Sequence, residues 1–378
     1  MEIRINREIF LQGLHRVQSI VERKTTTPIL ANFLLEARAG SAGDSESTVT
    51  YVATDLELTC KGVIPAEVVH EGVITLPARQ TFDIVRELPG GVMIELRVVE
   101  QNRVELRAGR AFFRIPGLPG EDFPPFPPFE GAEPFALPAE TLREMIAKTA
   151  FCTSQDETRF ALRGALFALK AGEAQMVATD GHRLASIRRE CAGVGPSVKQ
   201  VIVPRKALEE LRKSLEDSSE DEHDEVMLSL LDQHLLVRRG NLWLSTRLID
   251  GQFPAYERVI PKGHPKHVIL AKETFMSSLR RVSLLAPEKS RAVRLTLAPG
   301  VVTVLSDSPE LGEARDELEA EYQDEGVTVG FNARYLMDVL NAVDDTQVVL
   351  EVKDPVSSAL IRPVGDGDNL FVIMPLRL

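Results

Sequence analysis

Three stretches of this 378-residue chain carry the same four elements in the same order, offset by about 125 residues, a period too long for a solenoid and suited to whole domains. The first element is a short strand running into an amphipathic helix: EIRINREIFLQGLHRVQSIV from Glu2, PFALPAETLREMIAKTAF from Pro134 and HVILAKETFMSSLRRVSLL from His267. Phe10, Leu14, Val17 and Val21 recur at helical spacing, as do Phe275, Leu279 and Val282. The second is a strand closing on an aspartate, YVATDLEL at Tyr51, MVATDGHRL at Met176 and TVLSDSPEL at Thr303. An aspartate at a strand end closes a turn through its own carboxylate, so Asp55, Asp180 and Asp307 are expected to do the same work. The third element is again strand then helix, with Leu208, Leu211 and Leu215 forming one apolar stripe and Leu336, Leu340 and Val343 another. The fourth alternates apolar and polar residues around turn signals such as Gly240-Asn241 and predicts antiparallel hairpins.

The connections fall where the repeat demands them. Proline blocks a helix or a central strand, and the stretches Pro116–Pro134 and Asp250–His267 are rich in it. Residues 1–120, 134–250 and 266–378 are therefore expected to be three similar domains of α+β class, each with two helices packed on antiparallel sheet. The acidic stretches Glu216–Glu225 and Glu310–Glu325 are expected to be solvated.

Composition narrows the function. With 44 basic and 56 acidic residues the net charge is −12, the opposite of the basic face with which ordinary DNA binders neutralise phosphates. Three cysteines without CxxC spacing argue against a disulfide framework or a zinc site. No long apolar run and no apolar leader are present, so a reducing cytoplasm is the expected compartment, without a membrane. Phosphate-loop, dinucleotide and HExxH fingerprints are absent. His264 and His267 lie three apart, but Pro265 opposes the helix that would aim both at one metal. Asp180 beside His182 could orient a general base; the equivalent Asp55 and Asp307 have no such histidine, which favours the turn-closing reading. Neither a cofactor nor a metal is expected, nor enzymatic activity.

The segments KTTTPIL from Lys24, VATDGHRLA, VIVPRK, FNARYLMDVLNAV and the closing VIMPLRL together resemble the β subunit of bacterial DNA polymerase III, the sliding-clamp family, along the whole chain. The resemblance implies a half-ring of three domains, a head-to-tail homodimer, helices lining a hole around duplex DNA and sheets outside. It also implies a processivity role, with replicative and repair polymerases and an ATP-dependent clamp loader as partners. Elementary geometry agrees. A duplex of roughly 10 Å radius with a water layer, walled by helices ~10 Å across, sets helix axes on a circle that holds about twelve at ~10 Å spacing. Two helices in each of three repeats make six per chain, so two chains close the circle. Confinement then replaces adhesion, which accommodates an acidic chain.

The resemblance also implies sites. Partner peptides would bind between the second and third domains, on an apolar floor of Leu162, Leu184, Val259, Val356, Met374 and Leu376. Arg159, Thr179, Gly181, His182, Arg183 and Leu184 come from the second repeat, Pro254 and Arg258 from the connection. Asn332, Tyr335, Ser358, Pro375 and Arg377 come from the third repeat, and the tail runs on to Leu378. Leu162 and Val259 have plain core packing as the alternative. Two positions depart from the family pattern: Ser290 stands where some relatives carry an aromatic, and Leu376 where the familiar tail has methionine. Lys24, Arg205 and Lys206 are candidate DNA contacts, with ordinary solvated charge as the alternative. Phe113 and Ile115 would meet Leu284 and Leu285 of a second copy, unless they are buried in their own domains. The rival function is a repeat-domain interaction scaffold that never encircles DNA.

Overall fold

The computed structural model describes every residue except 23–24, 41–46, 128–132, 192–197, 217–223, 232 and 378; Lys24 and Leu378 therefore lie outside the described residues. Six α-helices form among those described, two in each repeat: α1 (Arg7–Ile20) and α2 (Ala78–Glu87), α3 (Ala139–Thr149) and α4 (Arg205–Glu216), α5 (Lys272–Val282) and α6 (Ala333–Ala342). Each begins where a strand stops. Asn6 accepts from the N–H groups of Glu8 (2.9 Å) and Ile9 (3.3 Å) to cap α1, and Asn332 accepts from that of Arg334 (2.9 Å) to cap α6. The strands before α2, α3 and α4 end at Pro77, Pro138 and Pro204, which have no N–H to extend a ladder. The apolar stripes face inward as their spacing predicts. Phe10, Leu14 and Val17 of α1, Leu208, Leu211 and Leu215 of α4, and Phe275, Leu279 and Val282 of α5 are all buried. At about 1.5–3 kcal/mol per buried side chain, these stripes outweigh any helix propensity.

The chain divides into two compact units, Met1–Ala139 with Glu210–Leu248, and Glu140–Glu209 with Ile249–Leu378. The division passes through the middle repeat, and the sheets explain why. In the first unit a five-stranded antiparallel sheet runs in the order Glu67–His70, Glu2–Asn6, Met93–Val99, Arg103–Ala108, Ala111–Pro116. Beside it in the same unit, four long strands of the first repeat, ending with Leu58–Pro65, continue into the middle repeat's Leu242–Arg247, His234–Arg239, Glu225–Leu231 and Phe135–Pro138. The join is an ordinary antiparallel ladder, with Cys60 opposite Leu244 and Gly62 opposite Leu242. Gly62 is required there, because a Cβ would sit 2.1 Å from the Tyr51 ring.

The second unit repeats the device. Lys199–Pro204, Gly164–Lys170, Glu173–Thr179 and Arg183–Glu190 pass into the third repeat's Asn369–Ile373, Ala359–Pro363, Gln347–Val352 and Lys266–Ala271. Leu184 faces Val372 and Ser186 faces Leu370 across this join. A separate four-stranded sheet, Gly312–Glu319, Val301–Ser308, Ala292–Ala298 and Val327–Asn332, completes the unit. Here one expectation changes. Asp307 does not close a turn: it lies within its strand opposite Glu313, and the turn moves on to Ser308, whose Oγ accepts from the N–H of Leu311 at 3.3 Å.

Candidate functional site

Within the second unit the sequence Thr179-Asp180-Gly181-His182-Arg183 forms a tight turn between two strands. Asp180 Oδ1 accepts from the N–H groups of His182 (2.9 Å) and Arg183 (3.0 Å), and Thr179 Oγ1 donates to the Arg183 carbonyl (2.7 Å). Gly181 supplies the left-handed φ of +88° that this path needs. In the first unit Asp55 plays the same part, accepting from the N–H groups of Glu57 (3.0 Å) and Leu58 (2.6 Å). The turn-closing reading therefore holds for Asp55 and Asp180. Asp180 Oδ2 accepts from Arg183 Nε at 3.1 Å, so both carboxylate oxygens serve the turn and its arginine rather than the His182 ring.

Arg183 is the hub. Its guanidinium also donates to Asp338 Oδ2 at 2.6 Å and to the Phe151 carbonyl at 2.9 Å, and lies 4.5 Å from the Tyr335 ring centre and 5.3 Å from that of Phe151. The exposed His182 ring stacks on Tyr335 at 6.3 Å. Burial, and then the nearby Asp180 charge, raise the Tyr335 phenol above its ordinary value. Asn332 caps the helix that carries Tyr335, and Arg159 donates to the Asp180 carbonyl at 3.1 Å. Asp338 and Phe151 were missed in the sequence, which offers no local signal that they meet Arg183.

The tail joins the same place. The Met374 N–H donates to the His182 carbonyl and the Leu376 N–H to that of Gly330, each at 2.8 Å. Arg183, Ile373 and Ala359 share one ladder row, which sets Ser358 and Met374 next to the turn. Tyr256 packs on the adjacent apolar row of Leu184, Val372 and Leu360, bringing the Pro254–Val259 connection onto the sheet. Apolar side chains stand open here: Val356 is 72% exposed, Val259 49% and Met374 44%. Leu162 and Leu376 are half-buried, and Pro254, Arg258 and Arg377 are exposed. Leu184 is a correction. At 2% exposure it belongs to the core beneath the site, because strand alternation turns its side chain into the sheet's covered face.

The other expected residues fall elsewhere. Arg205 and Lys206 open α4, with Arg205 Nε donating to Glu209 at 2.7 Å and Lys206 exposed. Phe113 is half-buried on the edge strand Ala111–Pro116, and Leu284 is 78% exposed beside a half-buried Leu285. Ile115 is a second correction: it is 1% exposed, facing Val104 in its own core, whereas the neighbouring Phe112 points out at 50%. His264 and His267 each direct Nε2 to a carbonyl, of Ser358 and His264, at 2.8 Å. Among the described residues no group of three or more His, Cys, Asp or Glu side chains could hold a metal, and no helix is long and apolar enough to cross a membrane. In the first unit a cavity of about 430 Å³, floored by Cys60, Leu242 and Leu244, coincides with none of the expected residues. Burial pushes the Cys60 thiol up to about 12, too high for a reactive thiolate.

Three family models match the chain in succession: the DNA polymerase III beta subunit N-terminal domain over residues 1–127, its central domain over 136–255 and its C-terminal domain over 257–377. The chain is 35% identical over 379 residues to the beta sliding clamp of Pseudomonas aeruginosa, covering 100% of each. A crystal structure of the Pseudomonas aeruginosa DnaN sliding clamp bound to griselimycin matches with a TM-score of 0.93 at 35% identity, and the Bartonella birtlesii clamp bound to griselimycin with 0.92 at 36%. Both matches cover 100% of each chain.

Proposed function

This chain belongs to the DNA polymerase III beta subunit family, the DNA sliding clamps, and from that premise we propose that two copies close head to tail into a ring around duplex DNA and hold a polymerase there by a short peptide seated between His182, Tyr335 and the Met374–Arg377 tail.

One observation about strands carries the ring. At each join inside the chain, the last strand of one repeat's four-strand sheet pairs with the last strand of the next repeat's meander: Leu58–Pro65 with Leu242–Arg247, and Arg183–Glu190 with Asn369–Ile373. By the same rule Gly312–Glu319 requires the strand equivalent to Ala111–Pro116, yet each of these two ends its own sheet. A second copy supplies the missing partner twice over, and two identical head-to-tail contacts close a twofold ring. Open edges otherwise invite aggregation. The net charges suit the pairing: Glu313, Asp316, Glu317 and Glu319 outnumber Arg315 on one edge strand, while the other carries Arg114 and its neighbour carries Arg103 and Arg107 against Glu105. Phe113, Leu284 and Leu285 are the apolar part of this contact, in domains bounded as 1–120, 134–250 and 266–378.

The open apolar side chains Val259, Val356 and Met374 are the natural seat for peptide anchors. A mobile methionine adapts to different partners, while His182, Arg159 and Ser358 are within reach of peptide polar groups. Arg205 and Lys206 contact phosphates, Leu184 and Ile115 do not contribute side chains, and an ATP-dependent loader opens the ring. Three buried free cysteines suit a cytoplasmic setting.

The test is topological. Protein loaded on nicked circular DNA should remain through gel filtration and be lost once the circle is cut, because only a ring slides off ends. Retention on the linear product would replace encirclement with ordinary adhesion.

A further inference from the structure

Next to the turn, still within the second unit, lies a groove of about 570 Å³ with an unusual balance of charge. It shares Asp180, Arg183, Asn332 and Tyr335 with the peptide seat and then continues past them to Arg205, Lys289, Arg291 and Arg334. The acids in it are Asp180, Asp338 and Glu288. Asp180 and Asp338 are both bonded to Arg183, and Arg205 pairs with Glu209. That leaves Lys289, Arg291 and Arg334, all exposed, without a hydrogen bond or ion pair from their side chains to another described residue. Three unpaired cations against the single acid Glu288 leave this concavity net positive, which stands out in a chain of net charge −12.

Two local features concentrate this field. Neither α4 nor α6 has an acidic residue in its first turn, where one would be favourable, and each has an arginine there instead: Arg205 and Arg334. Arg291 is held in a left-handed conformation (φ 46°), with its carbonyl accepting the first N–H of α6, from Ala333, at 2.8 Å. A non-glycine residue there costs about 1 kcal/mol or more, and the outcome is an arginine fixed at the start of that helix.

We propose that this groove receives an acidic segment flanking the apolar anchor of a partner peptide, so that Lys289, Arg291 and Arg334 read charge while the adjoining seat reads shape. The inference rests on the peptide-seat reading above. Charge complementarity selects an anion, and continuity with the seat selects one covalently tied to the anchor. The shape argues against duplex DNA: a rod roughly 20 Å wide does not enter a groove of this volume, and Asp180, Asp338 and Glu288 repel an unbroken run of phosphates. A flexible peptide places its carboxylates singly between those acids.

The experiment is fluorescence anisotropy on the full chain with three labelled peptides: a leucine- and phenylalanine-containing anchor set between serines, the same anchor extended by glutamates at either end, and the same extended by lysines. The glutamate form should bind about three- to tenfold tighter than the plain one at low salt, the size expected of a few surface ion pairs, and the lysine form weaker. The advantage should vanish at high salt and in the triple variant Lys289→Gln, Arg291→Asn, Arg334→Gln. Unchanged affinity of that variant for the plain anchor shows that it folds and that the seat is intact. No gain from glutamate, or a gain that survives the triple variant, overturns the proposal. So does an oligothymidylate whose binding, rather than that of the acidic tail, is lost in the variant, since the groove is then a nucleic-acid contact. If the plain anchor fails to bind the wild-type chain, the peptide seat itself is wrong, a failure distinguishable from the others.

Discussion

Arg183 makes four jobs meet in one side chain: it bonds Asp180, Asp338 and the Phe151 carbonyl and underlies the ring on which His182 stacks, with only 10% of the side chain exposed. Lysine cannot reproduce a planar fork lying over an aromatic face. Arg183→Lys is therefore expected to lower stability by about 1–3 kcal/mol, the range for losing part of a buried charged network, and to weaken anchor-peptide binding about tenfold, read by thermal denaturation and anisotropy. His182→Ala should weaken binding and leave the melting temperature in place; a binding curve that does not move would take His182 out of the site. The turn-closing role of Asp180 was legible because Asp55 repeats it. The partners of Arg183 were not, since Asp338 lies 155 residues away and Phe151 lies 32 away, and no local pattern encodes such meetings. Leu184 and Ile115 show a related limit. A motif names a residue, but strand alternation decides which face it presents.

At the scale of elements, helix α3 is fastened by charge. Glu144 bonds Arg189 and Lys148, Lys148 reaches Asp344, and Arg189 reaches Asp366, all at 2.5–2.9 Å. Burial pushes the Glu144 carboxyl up, but the bonds from Arg189 and Lys148 prevail and hold it down at about 2. A carboxyl held below its ordinary 4.5 contributes stability that is fully present above about pH 4.5 and is lost as the pH falls towards about 2. Glu144→Gln should accordingly cost about 1–3 kcal/mol at neutral pH and flatten the stability profile between those limits. Denaturant titrations of both proteins from pH 5 to pH 2 check it, and parallel profiles would show that the network contributes nothing. The helices themselves were legible because burying Phe275, Leu279 and Val282 on one face requires their 3–4 spacing. The turn after Ser308 was not, because a shared aspartate in the sequence does not oblige the backbone to turn at the same place.

For the whole molecule the proposed ring turns on affinity between copies. Phe113→Glu or Leu285→Glu puts a charge into the apolar part of the proposed contact and should give folded monomers by sedimentation equilibrium; a dimer that survives both would remove these residues from it. The charged edges allow a sharper check. Arg114→Glu alone and Glu317→Arg alone should each weaken dimerisation, because both contacts then set like charges together, and a mixture of the two single variants should recover it as a heterodimer, because both of its contacts pair opposite charges. The threefold plan and its helices could be read directly from the sequence. Strand pairing across repeats could not, since Cys60 and Leu244 are joined by a ladder that no sequence period announces.

That ladder changes what it means to dissect the protein. A fragment stopped at the first proline-rich connection would carry Leu58–Pro65 as a bare rim of unanswered amides and carbonyls, and an excised middle repeat would carry two such rims. Pieces cut at the apparent seams should seek strands from one another and precipitate, so the smallest soluble fragment of this chain is larger than its repeat.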